Sequence, residues 1–412
     1  MAFGPNSSKD RRPTLVSRIA STAVAILIGV SIFGAGYRAG SGASGTSNAG
    51  GVDISRFEEV LNLIDNEHVG PETEKQLVDG AIKGLVEALN DPYSQYLTGE
   101  EQQSMIDSLS GSFEGIGAVI EGRAADGAPC STLGPDCALT VVSPIDGSPA
   151  LRAGISSGDQ IKAIDSVPVD GKTVDEAVVN IRGAKGSTVV ITIVRGCAAP
   201  TPISIVRDVI TIPAVEPKVL RTPNGATVGY LRLAEFSEIA GDQFHAALQN
   251  VIDAKTMRIV LDLRDNPGGY LSTALRIASE FIGDGVVYIE EDKAGVRTET
   301  RAQGGGLATS TTVRLIVLVN KGSASASEIL AGALQDRGRA VLVGETTFGK
   351  GVVQTFMDLS DGSGLKLTIA KWLTPNGRWI QGTGLTPDRI VPTVAPGSAD
   401  DPVLAAALSL LD

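Results

Sequence analysis

At 412 residues the chain is two to three times the length of one ordinary domain, so two or three folding units are expected rather than a single core. Hydrophobic residues at 42% and charged residues at 20% exclude a small disulfide scaffold, while 49 glycines exceed the roughly 7% of average usage and imply many turns. A formal charge of -12 without a long basic run excludes a nucleic-acid binder, and two histidines in all, His68 and His245, exclude a His-rich metal site. Both histidines sit in helical patterns, so a hydrolytic base has to be sought elsewhere.

Residues 1–18 carry Lys9, Arg11, Arg12 and Arg18, and an uncharged apolar stretch runs from Ile19 to Tyr37. This reads as an export signal or membrane anchor, with the basic flank on the side that the positive-inside rule requires. Arg11-Arg12 lacks the rest of a twin-arginine pattern. From Gly40 to Gly51 the chain is rich in Gly, Ser and Ala, the composition of a flexible tether.

Apolar residues at helical spacing then predict two packed helices, with Phe57, Val60, Leu61 and Ile64 on one face and Leu77, Ala81, Ile82, Leu85 and Leu89 on the other. From Ser112 to Val209 short β-branched runs separated by turns, with one helix near Val174 to Arg182, predict a small β-rich module. Within it Cys130 and Cys137 flank a turn-rich loop and can close a disulfide ring or stay as thiols, which leaves Cys197 over. Beyond Thr211 apolar strands such as Ile259–Leu263 and Leu315–Val319 each lead through a glycine turn into a helix, so the remainder is α/β.

Three of these turns carry candidate chemistry. Arg264-Asp265-Asn266-Pro267-Gly268-Gly269 opens a helix. Pro267 has no N–H, so the usable donors are those of Gly268 or Gly269, which with the N–H of Ala326 can form an oxyanion hole; alone, the turn equally suits a phosphate. Ser325-Ala326-Ser327-Glu328 follows a buried strand and a tight small-residue turn, and by itself reads as a capping box. Lys350 lies between two glycines, and strand alternation would put Gln354 on its face, where an amide can aim the amine. A lysine serves as general base only when neutral, which requires burial to lower its pKa; Phe348, Val352 and Val353 are the apolar residues at hand.

The segments VLDLRDNPGG, GSASASEILAGALQDRGRAVLVGETTFGKGVVQT and LKLTIAKWLTPNGRWIQGTGLTPD resemble the carboxyl-terminal processing peptidases, PDZ-containing serine proteases of the tail-specific type. GYLRLAEFSE and NDPYSQYL are similar to further family segments. Residue by residue, the resemblance implies that Ser325 is the nucleophile, Lys350 the general base and Gln354 the polar support of the lysine. It implies no metal or organic cofactor.

The same resemblance makes Phe113–Ile120 the carboxylate-binding loop and first ligand-pairing strand of a PDZ domain, with Gly115, Ile116, Gly117, Ala118 and Val119 as the peptide-binding residues. Successive N–H groups around Gly115 and Gly117 suit a chain-end carboxylate, and a strand edge suits an extended peptide. Arg182 matches a family arginine that couples the PDZ domain to the active site. The cysteine-bearing stretch from Arg123 to Cys137 departs from shorter family versions of that hairpin.

The expected architecture is multidomain α+β. It comprises a signal peptide or anchor at 1–41, a linker at 42–54, a helical region at 55–110, a PDZ domain at 111–208, a crotonase- or ClpP-like α/β protease core at 209–398 and a C-terminal helix at 399–412. The expected function is that of an extracytoplasmic serine endopeptidase, periplasmic or at the cell surface, membrane-anchored or secreted, acting on proteins or peptides with free C-termini. A homo-oligomer is expected from the family's use of its helices. The rival readings are a catalytically inactive PDZ scaffold and a lactam-acylating Ser-Lys enzyme; against the latter, the chain lacks a local Ser-x-x-Lys motif.

Overall fold

The structure, a computed structural model, describes residues 53–71, 73–392 and 400–412. The N-terminal apolar stretch and its tether lie outside the described residues, and among the described residues no helix is long and apolar enough to cross a membrane. The chain divides into two compact units, Met1–Leu77 and Val78–Asp412.

In the first unit the periodic apolar residues do form a helix, Ser55–Glu67, but none of its residues is buried. Phe57, Val60 and Leu61 on it are exposed, as are Leu85 and Leu89 in and after the Glu74–Glu87 helix. An amphipathic stripe is enough to set helical periodicity, whereas burial needs a second apolar surface.

The β-rich module in the second unit is an antiparallel sheet in the order Ala118–Ala124, Cys137–Pro144, Gln160–Ile164, Thr188–Val194, Thr201–Val206. Alternation turns Leu139 and Val141, then Val189 and Ile191, into one core with Ile161 and Ile205. The Val174–Ile181 helix begins at a capping box in which Thr173 Oγ1 accepts from the Glu176 N–H at 3.2 Å and the Glu176 carboxylate from the Thr173 N–H at 2.7 Å. Ala118–Ala124 is an edge strand, and the groove between it and this helix is open. Ser112–Gly115 pairs with Asp208–Thr211 at the base of the module.

The α/β part is built on a six-stranded sheet. Val215–Arg221 pairs antiparallel with Thr227–Leu233, after which Arg258–Asp262, Arg314–Val319, Val341–Gly344 and Arg389–Ile390 follow in parallel. Parallel strands are covered on both faces, which is why these read as unbroken apolar runs. Ile259 and Leu261 face one core with Val317, Phe244 and Ile329. Val260, Ile316 and Leu318 face the other, closed by Val403, Ala407 and Leu411 of the C-terminal Pro402–Leu410 helix and its cap. A second sheet carries Val352–Asp358 against Gly364–Leu373.

Each parallel strand leaves the sheet at its carboxyl end in a turn. The turns at 263–270, 320–325 and 345–351 follow the adjacent strands Arg258–Asp262, Arg314–Val319 and Val341–Gly344, so residues far apart in sequence meet above one sheet edge.

Candidate active site

Ser325 is the N-cap of the Ala326–Asp336 helix and holds φ 55° and ψ -114°, a conformation that side chains other than glycine rarely adopt. Such a backbone costs about 1–3 kcal/mol and persists only when its surroundings over-determine it. Two asparagines supply that. Asn320 Oδ1 accepts from the N–H groups of Asp265 (2.9 Å) and Gly322 (3.0 Å), and its Nδ2 donates to Asp265 Oδ1 at 2.8 Å. The buried Asn266 donates to Leu233 O at 2.8 Å, and its own carbonyl accepts from the Ala324 N–H and the Ser327 hydroxyl at 3.0 and 2.9 Å. The serine turn and the Asp265–Gly269 turn are thus sewn together by bonds that neither could make alone.

Glu328 is fully buried and joins Ser325 to Lys350. One carboxylate oxygen accepts from the N–H groups of Ser325 and Lys350, both at 2.9 Å. The other accepts from the Thr347 hydroxyl at 2.5 Å and the Gly349 N–H at 2.7 Å. Burial pushes its pKa above the ordinary carboxylate value, and the four donors work against that. What the sequence presents as a helix cap is therefore the bracket that sets two distant backbones in one frame.

The lysine backbone is clamped from its other side by both tryptophans of the chain. Trp372 Nε1 donates to Lys350 O and Trp379 Nε1 to Gly351 O, each at 2.8 Å, while the Gly351 N–H donates to Gln381 Oε1 at 2.8 Å. A Cβ on Gly351 would lie 2.8 Å from Gln381 N and 2.9 Å from Trp379 Nε1, which explains the glycine after the lysine. The Lys350 amine stands 5.3 Å from the centroid of the Tyr93 ring. Burial above all, then the charge of Lys366, lower its pKa to about 8, against the opposing pull of Glu328 and Asp91.

Ser325, Lys350, Gly268, Gly269, Gln354 and Lys366 line one cavity of about 580 Å³, which also receives Met105, Ser108 and Leu109 from the Gly99–Ser110 helix. Gly268 approaches Ser325 so closely that a Cβ there would lie 2.9 Å from the serine Cβ. Its N–H, however, donates to Asn266 Oδ1 at 2.9 Å. The N–H groups of Gly269 and Ala326 make no hydrogen bond among the described residues, so of the two glycines Gly269 has the free donor. Gln354 shares the cavity with Lys350, but its Nε2 donates to Thr368 Oγ1 at 3.4 Å and no hydrogen bond joins it to the amine among the described residues. The strand begins only at Val352, and its register shifts between Val353 and Gln354, so alternation does not carry from 350 to 354. His245 pairs with Glu280 at 2.6 Å on another helix and takes no part in lining this cavity.

In the β-rich module Gly115, Ile116, Gly117 and Ala118 line a groove of about 210 Å³ closed by Ile181 and Arg182. Val119 is exposed and is not among the residues lining this groove. Arg182 stacks 5.5 Å over Phe113 and pairs at 3.7 Å with Asp107 on the same helix that contributes Met105, Ser108 and Leu109 to the serine cavity. Cys130 and Cys137 are joined in a disulfide, and Cys197 is exposed.

Sequence reasoning missed Asn266, Asn320, Glu328 in its bridging role, Trp372 and Trp379. Asparagine before proline is a turn signal that could have drawn attention to Asn266; nothing local marks Asn320 in the same way, and nothing local says which carbonyls the indole N–H groups reach.

Three family descriptions match the chain: peptidase family S41 over residues 227–391, a PDZ domain over 140–195, and the N-terminal domain of the activating protease CtpB over 38–101. Carboxy-terminal processing protease CtpA of Bacillus subtilis is 37% identical over 343 residues, covering 83% of this chain and 70% of that protein. CtpB of the same organism is 39% identical over 339 residues, covering 81% and 67%. The solved photosystem II D1 C-terminal processing protease is 30% identical with a TM-score of 0.48, over 87% of this chain and 90% of that one.

Proposed function

Because the chain belongs to peptidase family S41 and carries a PDZ domain, we propose that it is a serine endopeptidase that captures the C-terminal tail of exported proteins on the PDZ groove and cuts the extended segment at Ser325. In this reading neutral Lys350 accepts the Ser325 hydroxyl proton as Oγ attacks the scissile carbonyl, and returns it to the leaving amine. The free N–H groups of Gly269 and Ala326 hold the oxyanion. Water then hydrolyses the acyl-enzyme by the same proton route. The observation that carries the reading is that one buried carboxylate, Glu328, holds the backbones of Ser325 and Lys350 on the wall of one cavity.

Further parts of the reading have their own supports. The Arg182–Asp107 pair, on a helix shared with the serine cavity, supports coupling of groove occupancy to the site. The basic start and apolar run before Tyr37 support an extracytoplasmic, membrane-tethered or secreted protein. The exposed Phe57, Val60 and Leu61 support self-association.

The test is hydrolysis of an unstructured protein by the region from Gly51 onward. Ser325→Ala and Lys350→Ala should each lower kcat/KM by about 10³ or more; variants that cut as well as wild type would overturn the mechanism. Since only the neutral amine accepts a proton, kcat/KM should rise with pH through about 8, the value to which burial brings Lys350.

A further inference from the structure

The cavity that holds Ser325 and Lys350 contains a second lysine, Lys366, to which the proposed mechanism gives no contact with the substrate. Lys366 lies on Gly364–Leu373, opposite Phe356, and its amine stands 5.9 Å from the centroid of that ring. It is half-buried on the cavity wall. Among the described residues its amine has neither a hydrogen bond nor a carboxylate within ion-pair distance, whereas Lys371 on the same strand has Glu291 at 3.5 Å. One carboxylate also lines the cavity, Glu235, whose pKa burial raises.

A cation withdrawn from water without a counter-ion is costly, and burial lowers the pKa of Lys366 accordingly. The cost disappears when an anion enters the cavity. The visitor that fits is a carboxylate carried by the peptide itself.

We propose that Lys366 is a specificity-determining residue that receives a substrate carboxylate, either an Asp or Glu side chain near the scissile bond or the α-carboxylate of a chain end. This rests on the reading of Ser325 and Lys350 as the cleaving pair.

Two sets of quenched-fluorescence peptides distinguish the sources. In the first, both ends are blocked and Glu is compared with Gln at each position flanking the cut. In the second, the sequence carries no acidic side chain, and a free C-terminal carboxylate is compared with its amide. The quantity read is the ratio of kcat/KM, acidic over neutral, in wild type, Lys366→Met, Lys366→Arg and Lys366→Glu; the PDZ contribution to the second set is common to all four and cancels. Losing a charge-assisted hydrogen bond should lower the ratio about ten- to a hundredfold in Lys366→Met, with recovery in Lys366→Arg and inversion in Lys366→Glu. A fall in the first set identifies the side chain, a fall in the second the chain end, and either supports the proposal. Ratios unmoved in both sets overturn it, even where Ser325→Ala is inert and the cleavage mechanism stands. A Ser325→Ala protein that cuts like wild type overturns both.

Discussion

Glu328 shows how much a single side chain can decide. Its four donors come from the helix start (Ser325) and from the loop 22 positions on (Thr347, Gly349, Lys350), and a carboxylate is the only group of its size that can accept all four. In Glu328→Gln one oxygen becomes an amide nitrogen, which leaves two donors facing a donor at about 1–3 kcal/mol each. The expected result is a lower melting temperature together with a fall in kcat of about tenfold or more, as Ser325 and Lys350 lose their common frame. A purely structural part would stop there. The negative charge of Glu328 also raises the Lys350 pKa, so its removal should move the rising limb of the pH profile below about 8. A limb that stays in place would show that Glu328 acts through geometry alone.

At the scale of elements the disulfide loop supports one wall of the groove in the β-rich module. Between Cys130 and Cys137 the loop pairs with the start of the groove helix: Leu133 N–H donates to Lys172 O at 2.8 Å and Val174 N–H to Ser131 O at 3.0 Å. Leu133 is buried in the module's core. The loop therefore buttresses the Val174–Ile181 helix, one wall of the groove. Closing so short a ring restricts the unfolded chain by about 2 kcal/mol in the loop-entropy account. Cys130→Ser should lose about that much stability in urea unfolding and weaken binding of a C-terminal peptide in titration calorimetry, with the Ser325 site still reactive toward a small acylating reagent. Peptide affinity equal to wild type would mean that the helix needs no buttress.

For the whole molecule, the decisive feature is that parallel strands end together. Loops from three neighbouring strands meet at one edge, and the C-terminal helix covers the opposite face of the same sheet. Arg264 ties that cover to the turn region, bonding both Asp262 and, at 2.9 Å, Asp401 just ahead of the helix. Leu411 is fully buried against this face, away from the cavity. Leu411→Ala should therefore destabilise the fold by about 2–5 kcal/mol while kcat, measured well below the melting temperature, stays within about twofold of wild type. A large loss of kcat in a folded variant would show that the helix transmits strain through the sheet to the site.

The local order of this protein was legible in the residues themselves. Apolar runs of strand length, glycine turns after them and helical spacing beyond predict the α/β core, because each depends on neighbours within about ten positions; the turns carrying Asn266, Ser325 and Lys350 stand out for the same reason. Commitments between turns were not legible. That the Gly268 N–H is taken by Asn266, that Gln354 bonds Thr368 rather than the amine, that two indoles grip the lysine peptide and that Lys366 faces the cavity without a partner are facts of distance between strands. A hydrogen bond is won by whichever partner arrives at the right separation and angle, and arrival is settled by packing, not by order along the chain.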